Sequence, residues 1–534
     1  MKTEPMSQQR TARKKMRGEK GYALFMEQGT GKTWCLLADA EEMYNAGLID
    51  AMFVLTLKGV HTNWVRREIP THLEVAHIAR AWPSGSKTVK NMRKVEQIFA
   101  ARGYGMPAPL RILTMNFEAL LTKDGFAFAQ KFLQLTRAVF ILDESERIKN
   151  PTSKTTKAVM ELRKLAAYAR IATGTPMDVP VDIFQQMQFL EEGCLGTNSY
   201  RAFVAEFAHL EDMNSRQMQG LIKKNPRMVH AQIVKTDYNG CKMWRNLDKL
   251  RDMVLKKAFR VRKEDCLDLP PKVYKNHYFT LEPAQRKVYD LMATQARIEL
   301  QEGEQTAVHR LSVYTKLQQI TSGYVIVPSQ RVGMPATLQY LGENARLTAL
   351  MELLTTLQGS TIIWARFREE IEAITRELKK ANLTYCEYHG DIKAAEREKA
   401  IDGFQSGAFQ VFVANAAAGG AGITLTRAQN VIYFSNTFRY RERAQSEDRP
   451  HRIGQTKTVF YIDLVAEETI DEPIAAALQR KGQNAGLVLG DRVDVTGDDL
   501  LDKFIFDSLI SDKDQSAYAN AYEKMLRPAD SIAV

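Results

Sequence analysis

Cysteine is scarce in this 534-residue sequence: Cys35, Cys194, Cys241, Cys266 and Cys386 are scattered and odd in number. No two of them have zinc-ligand spacing, which argues against a disulfide scaffold and a zinc module. That usage fits a reducing, intracellular compartment. Residues Met1 to Lys20 are polar and basic and lack the apolar centre of a secretory signal. Long apolar runs are missing too. Phe140-Ile141-Leu142 is typical, short and bounded by charge, far from the roughly 20 residues of a membrane span. The expected setting is therefore cytoplasmic, with no membrane partner. No short-period repeat and no long low-complexity tract occurs.

What is present is ordinary for a globular chain: 45% hydrophobic and 26% charged residues. The length suits three or four structural units at about 150 residues each. The net charge of +11 points to a polyanionic partner, although a basic and inert surface has the same signature.

Short β-rich runs alternate with longer helical patterns. Met52 to Leu57, Arg111 to Thr114, Ala138 to Leu142 and Arg170 to Thr173 read as strands of a first α/β lobe over residues 1–190. Residues 191–268 read as a helical insertion with a basic face that includes Lys249, Arg251, Lys256, Lys257, Arg260 and Lys263. Leu269-Pro270-Pro271-Lys272 breaks any helix and marks a linker over 269–280. A helical protrusion is expected over 281–340. A second lobe follows over 341–480, with strands at Thr361 to Trp364, Thr384 to Tyr388, Gln410 to Ala414, Val431 to Phe434 and Val459 to Leu464. Residues 481–534 form an acidic tail. The fold class is α/β, with two parallel-sheet lobes and helical insertions.

Glu27-Gln28-Gly29-Thr30-Gly31-Lys32-Thr33 lies between an apolar run, Tyr22 to Met26, and a helix start at Trp34. Strand, glycine turn and helix make a phosphate loop. Gly29, Thr30 and Gly31 let main-chain N–H groups face phosphate oxygens. Lys32 reaches the β- and γ-phosphates, and Thr33 offers a hydroxyl to magnesium. Met26 stands where the usual first glycine would be. Asp143-Glu144 ends an apolar strand, as a metal-holding acid and a general base should. The cofactors expected are ATP and Mg2+, with Thr33 and Asp143 on the metal. Thr173-Gly174-Thr175-Pro176 also ends a strand; alone it is simply a turn.

In the second lobe, Gly419-Gly420-Ala421-Gly422-Ile423-Thr424-Leu425-Thr426 follows a strand. Gly422 permits close approach of phosphate, and Thr424 and Thr426 can donate to it; read in isolation it is a plain glycine-rich loop. Arg449 and Arg452 stand three apart, on one helix face. They can stabilise transition-state charge from the opposite lobe, whereas an arbitrary arginine pair is simply solvated.

Taken together, Asp143-Glu144-Ser145-Glu146-Arg147-Ile148-Lys149-Asn150, Thr173-Gly174-Thr175-Pro176 and Asp448-Arg449-Pro450-His451-Arg452-Ile453-Gly454-Gln455 resemble the Swi/Snf branch of superfamily-two helicase-like ATPases, of the compact bacteriophage and bacterial type. The resemblance runs from about Gly21 to Leu464. It implies two RecA-like lobes and a DNA-stimulated ATPase that tracks along double-stranded DNA through backbone contacts, with DNA-bound proteins as further partners in a bacterial or phage-infected cell. It also implies an adenine-reading role for Gln9 and nucleic-acid contacts by Asn63, Trp64, Thr114, Asn116, Thr424 and Thr426. Ser145-Glu146 departs from the small residue plus histidine usual in that motif, and Thr437-Phe438-Arg439 from the usual Trp-Asn-Pro. Two other readings stand beside the translocase: a helicase that separates or anneals strands at forks, and a scaffold on DNA or polymerase whose ATPase is vestigial. The intact set Lys32, Asp143, Glu144 and Arg452 argues against the scaffold.

Overall fold

The structure is a computed structural model and describes residues 1–83, 88–99, 108–212, 232–235, 243–302, 307–327, 337–416, 423–437, 439–476 and 478. These form two compact units. Of these residues, the first unit takes those within Met1–Phe207 and Trp244–Leu269, and the second those within Ala208–Met243 and from Pro270 to Leu478.

The first unit contains β1 (Gly21–Met26), β2 (Ala51–Thr56), β3 (His77–Ala81), β4 (Leu110–Asn116), β5 (Ala138–Asp143) and β6 (Tyr168–Thr173). β7 (Leu210–Asp212) and β8 (Gln232–Val234) pair antiparallel in the second unit. The chain then returns with β9 (Ala258–Val261). The first sheet has the order β3-β4-β2-β5-β6-β1-β9, and every pairing in it is parallel.

Parallel strands need cover on both faces, so their sequences read as unbroken apolar runs. β1, β2 and β5 are buried at every position. Alternation still assigns each side chain to a face. Phe25, Phe53, Leu55, Phe140 and Leu142 join one core, while Leu24, Met26, Met52, Val54, Val139 and Ile141 join the other. Each core is then closed by helices.

The second unit contains β10 (Lys272–Phe279), an antiparallel pair of β11 (Tyr324–Val327) and β12 (Thr337–Tyr340), then β13 (Ser360–Trp364), β14 (Tyr385–Tyr388), β15 (Val411–Ala414), β16 (Ala428–Tyr433) and β17 (Val459–Ala466). Its main sheet is again wholly parallel, in the order β10-β17-β16-β13-β15-β14. The expected class, two parallel-sheet lobes with helices, is the observed one.

Several strands carry no clear signal in the sequence. β3 is partly exposed throughout and so lacks an apolar run. β9 lies inside the stretch read as a helical insertion, where four residues among basic neighbours pair with β1. β10 follows Pro270-Pro271 directly, within the stretch read as linker, and runs parallel to β17 from Lys272 to Phe279. It is an edge strand with four exposed residues in succession, so its composition looks like a loop. Among the described residues no helix is long and apolar enough to cross a membrane.

Candidate active site

All strands of the first sheet point the same way, so their C-terminal ends share one edge. The order β5-β6-β1 places the loop after β1, the acidic pair after β5 and the threonine-glycine turn after β6 side by side at that edge. This is where open α/β sheets bind ligands.

After β1 the chain turns through Gly29 and Gly31, with φ of +85° and +93°. The helix Lys32–Asn45 begins at once; Gly31 is its N-cap, and no side chain caps it. The first N–H groups of a helix have no partner within it, and their positive end favours anions. Glycine suits position 31 because of its positive φ, and a Cβ there would also push aside the end of the Gln9 side chain, whose Nε2 would lie 2.1 Å away. Lys32 Nζ donates to Met26 O at 2.7 Å and Glu27 O at 3.2 Å, which holds its ammonium over the loop. Thr30 is buried, and both its hydroxyl, at 2.7 Å, and its N–H, at 3.3 Å, donate to Glu27 O, which tightens the turn.

The loop is braced from two sides. Gln8 and Gln9, near the start of the helix Ser7–Met16, donate to Thr30 O and Gly31 O, each at 3.3 Å. Glu27 pairs with Arg260 of β9 at 3.2 Å and accepts the Lys263 N–H at 2.9 Å. In sequence Arg260 and Lys263 are only part of a basic stretch; nothing local to them signals that the Arg260 guanidinium and the Lys263 main-chain N–H reach back more than two hundred residues to the loop after β1.

Asp143 ends β5 and is buried. Its Oδ2 accepts from Thr56 Oγ1 at 3.1 Å and from Trp64 Nε1 at 3.2 Å. Burial, and then the neighbouring Glu144, push its carboxyl up to about 6; Lys32, Trp64 and Thr56 pull the other way. Glu144 takes a left-handed backbone, φ +64° and ψ +56°, which is uncommon away from glycine. Its N–H donates to Ala172 O of β6 at 2.8 Å. Gly174 packs close behind the loop, where a Cβ would lie 3.3 Å from Gln28 N.

The structure therefore gathers Gly29, Gly31, Lys32, Thr33, Asp143 and Glu144 at one sheet edge, with Gln9 against the loop. Three of the residues expected at nucleic acid have buried side chains. Trp64 is buried and turned inward onto Asp143. Thr114 is fully buried and its hydroxyl donates to His61 O at 2.7 Å. Asn116 is buried and caps the next turn by accepting from Ala119 N at 2.8 Å. Their side chains face the interior of the fold. Asn63 remains half-buried, donating to Glu68 at 3.4 Å.

In the second unit Thr424 is exposed and accepts from Arg452 Nη1 at 3.4 Å. Thr426 is half-exposed and accepts from Gln405 Nε2 at 3.2 Å. Gly422 lies outside the described residues. Arg449 and Arg452 do not share a helix face, because the helix Tyr440–Glu447 ends before them and both lie beyond it; Arg449 is 1% exposed, whereas Arg452 is half-exposed and donates from Nε to Asp448 O at 2.9 Å. The segment between them is tied back toward β10, for His451 Nε2 hydrogen bonds to Pro270 O at 2.8 Å.

Two parallel-sheet lobes, with a glycine loop and an acid pair on one edge of the first, are the architecture of a helicase-like ATPase core. The chain belongs to the SNF2-related family of helicase-like ATPases: residues 11–323 match the SNF2-related domain, and residues 345–454 match the helicase conserved C-terminal domain. Among curated proteins it is 26% identical to an uncharacterized ATP-dependent helicase of Mycoplasma genitalium, over 70% of this chain and 32% of that protein. It is 27% identical to the human TATA-binding protein-associated factor 172, over 69% of this chain and 22% of that protein. The similarity thus spans a third or less of these relatives' length. A solved structure similar to the chain is the Sulfolobus solfataricus SWI2/SNF2 ATPase core in complex with dsDNA, with 22% identity, a TM-score of 0.38 and coverage of 93% of this chain and 98% of that one.

Proposed function

We propose that the chain hydrolyses ATP with magnesium at the edge of its first lobe, under stimulation by duplex DNA, and moves along that DNA by sequence-independent contacts. One observation carries the reading: the uncapped N-terminus of the helix Lys32–Asn45 stands at the same sheet edge as Asp143 and Glu144. That arrangement sets anion-binding N–H groups beside a buried carboxylate and a candidate base.

The residues suit both groups. Lys32 and the N–H groups of the loop bind phosphate, Gln9 lies beside the loop for the adenine, and Thr33 with Asp143 supplies oxygen donors for the cation. A carboxyl held up at about 6 by burial and a second acid is one that a nearby cation would ionise. When bound, magnesium neutralises charge on the β- and γ-phosphates. Glu144 orients the attacking water and takes its proton. Arg452 stabilises the charge of the transition state. Asn63, Thr424 and Thr426 are the retained candidates for backbone contacts, and a motor that grips phosphates needs no base readout. Work of this kind remodels DNA or displaces proteins from it.

The test is an ATPase assay across single-stranded, duplex and forked DNA, together with Lys32→Ala. Stimulation by duplex that depends on its length and not on its sequence is expected, with turnover lost in Lys32→Ala and DNA binding kept. DNA affinity should fall with salt at a slope of about −5 if roughly six phosphates are neutralised. Stimulation by forks alone would move the reading to strand separation. Wild-type turnover in Lys32→Ala would remove the loop from the mechanism.

A further inference from the structure

Ser145 and Gln186 are both fully buried in the first unit. Ser145 Oγ donates to Gln186 Oε1 at 2.8 Å. Gln186 Nε2 donates to Pro176 O at 2.5 Å and to Asp182 O at 3.1 Å. The amide is thus satisfied at both ends, and its orientation is fixed, because the nitrogen faces two carbonyl oxygens. One side chain therefore joins the turn after β5 to the turn after β6.

Both turns are parts of the candidate site. Ser145 follows Glu144, whose backbone sits in the left-handed region at φ +64°, a conformation that its surroundings must hold in place. Pro176 closes the turn of Thr173, Gly174 and Thr175. That turn is fixed by its own bond from Thr175 N to Thr173 Oγ1 at 3.1 Å, and Gly174 lies against Gln28 of the phosphate loop. The helix Ile183–Leu190, which carries Gln186, is anchored in turn: Asp182 Oδ2 accepts from Asp178 N at 3.0 Å and from Val179 N at 3.3 Å, and pairs with Lys149 at 3.0 Å. A buried and fully paired polar network holds a single geometry.

We propose that Gln186 is a positioning residue. Through Ser145 it holds Glu144 in register with the threonine-glycine turn and the phosphate loop, and so sets the rate of hydrolysis without touching nucleotide. The inference rests on the ATPase reading above.

The test uses the full chain with duplex DNA. Gln186→Met keeps length and removes every hydrogen bond, and Ser145→Ala removes only the bond to Gln186. Each is measured alone and with Glu144→Gln, for kcat, KM for ATP, nucleotide affinity and melting temperature. A misplacement on the order of 1 Å is enough to cost about 100-fold in rate. We therefore expect kcat to fall about 10- to 100-fold in Gln186→Met at a temperature well below its melting point, and less in Ser145→Ala, with KM and nucleotide affinity within about twofold. In the Glu144→Gln background the same substitutions should cost little more, since residues acting as one unit are non-additive. A merely structural glutamine predicts a lower melting temperature with kcat unchanged, and that result overturns the proposal. So does a loss that multiplies fully with Glu144→Gln. If Gln186→Met does not fold, Ser145→Ala decides by the same two criteria. Lys32→Ala separates the failures: a dead Lys32→Ala beside a normal Gln186→Met overturns only the role of Gln186, while an active Lys32→Ala overturns the ATP site itself.

Discussion

Trp64 Nε1 donates a hydrogen bond to Asp143 Oδ2 at 3.2 Å, across 79 positions of sequence. A hydrogen bond to the ionised form lowers a carboxyl pKa, so Trp64 works against the burial that raises it. Trp64→Phe removes the donor and keeps most of the packing. Asp143 should then be harder to ionise, and the magnesium needed for half-maximal turnover should rise. A bond to a charged group contributes about 1.5–3 kcal/mol, so a rise of roughly tenfold or more is expected. DNA affinity should not move. Magnesium titrations of turnover, with parallel DNA binding, check both halves.

The same carboxyl gives a pH dependence. With its pKa raised to about 6 in the fold, Asp143 contributes stability that is complete below its ordinary value near 4 and is lost as pH rises through about 6. Two pKa units correspond to about 3 kcal/mol. Between about pH 4 and 6, in the absence of nucleotide, the stability of wild type relative to Asp143→Asn should therefore decline by up to that amount, then level off. Denaturant midpoints of the two proteins across that range measure it. A flat difference would show that Asp143 titrates normally.

Glu144→Gln keeps shape and polarity but cannot accept a proton. It should bind ATP as wild type does and hydrolyse it slowly, by about 100-fold or more, the scale of a lost general base. Nucleotide binding and single-turnover hydrolysis separate the two steps. Lost affinity instead of lost rate would make Glu144 a structural residue.

The two arginines should part company. Arg452 is half-exposed, and Arg452→Ala should leave melting unchanged while costing about 1000-fold in DNA-stimulated turnover, as loss of an arginine finger does. Arg449 is buried, and Arg449→Ala should lower stability as well, by on the order of 2 kcal/mol. Melting curves and turnover on both variants suffice. Normal hydrolysis in Arg452→Ala would show that the second lobe supplies no charge to the reaction.

What the sequence determined by itself were the features that depend on chain neighbours. The buried strands declare themselves because a parallel sheet covered on both faces leaves unbroken runs such as Phe140-Ile141-Leu142. The phosphate loop is local chemistry, two glycines before Lys32 and Thr33, and Asp143-Glu144 is local in the same way, two acids closing an apolar strand. Edge strands were less legible: β10 follows two prolines and faces solvent, and neither its polarity nor its spacing distinguishes it from a loop. Only tertiary structure decided which way side chains at strand ends face. Trp64 and Thr56 meet Asp143 because β2 lies beside β5, and no pattern near position 64 records that adjacency. Thr114 meets His61 O because β4 lies beside β2. Gln186 is one of three glutamines in the helix Ile183–Leu190, and nothing local singles it out until the helix is laid against the turns that carry Ser145 and Pro176. Sheet order and packing are relations between distant segments, and burial of a polar group is tolerated only where such a relation supplies its partner. The partner, and with it the role of the residue, is therefore fixed by the fold.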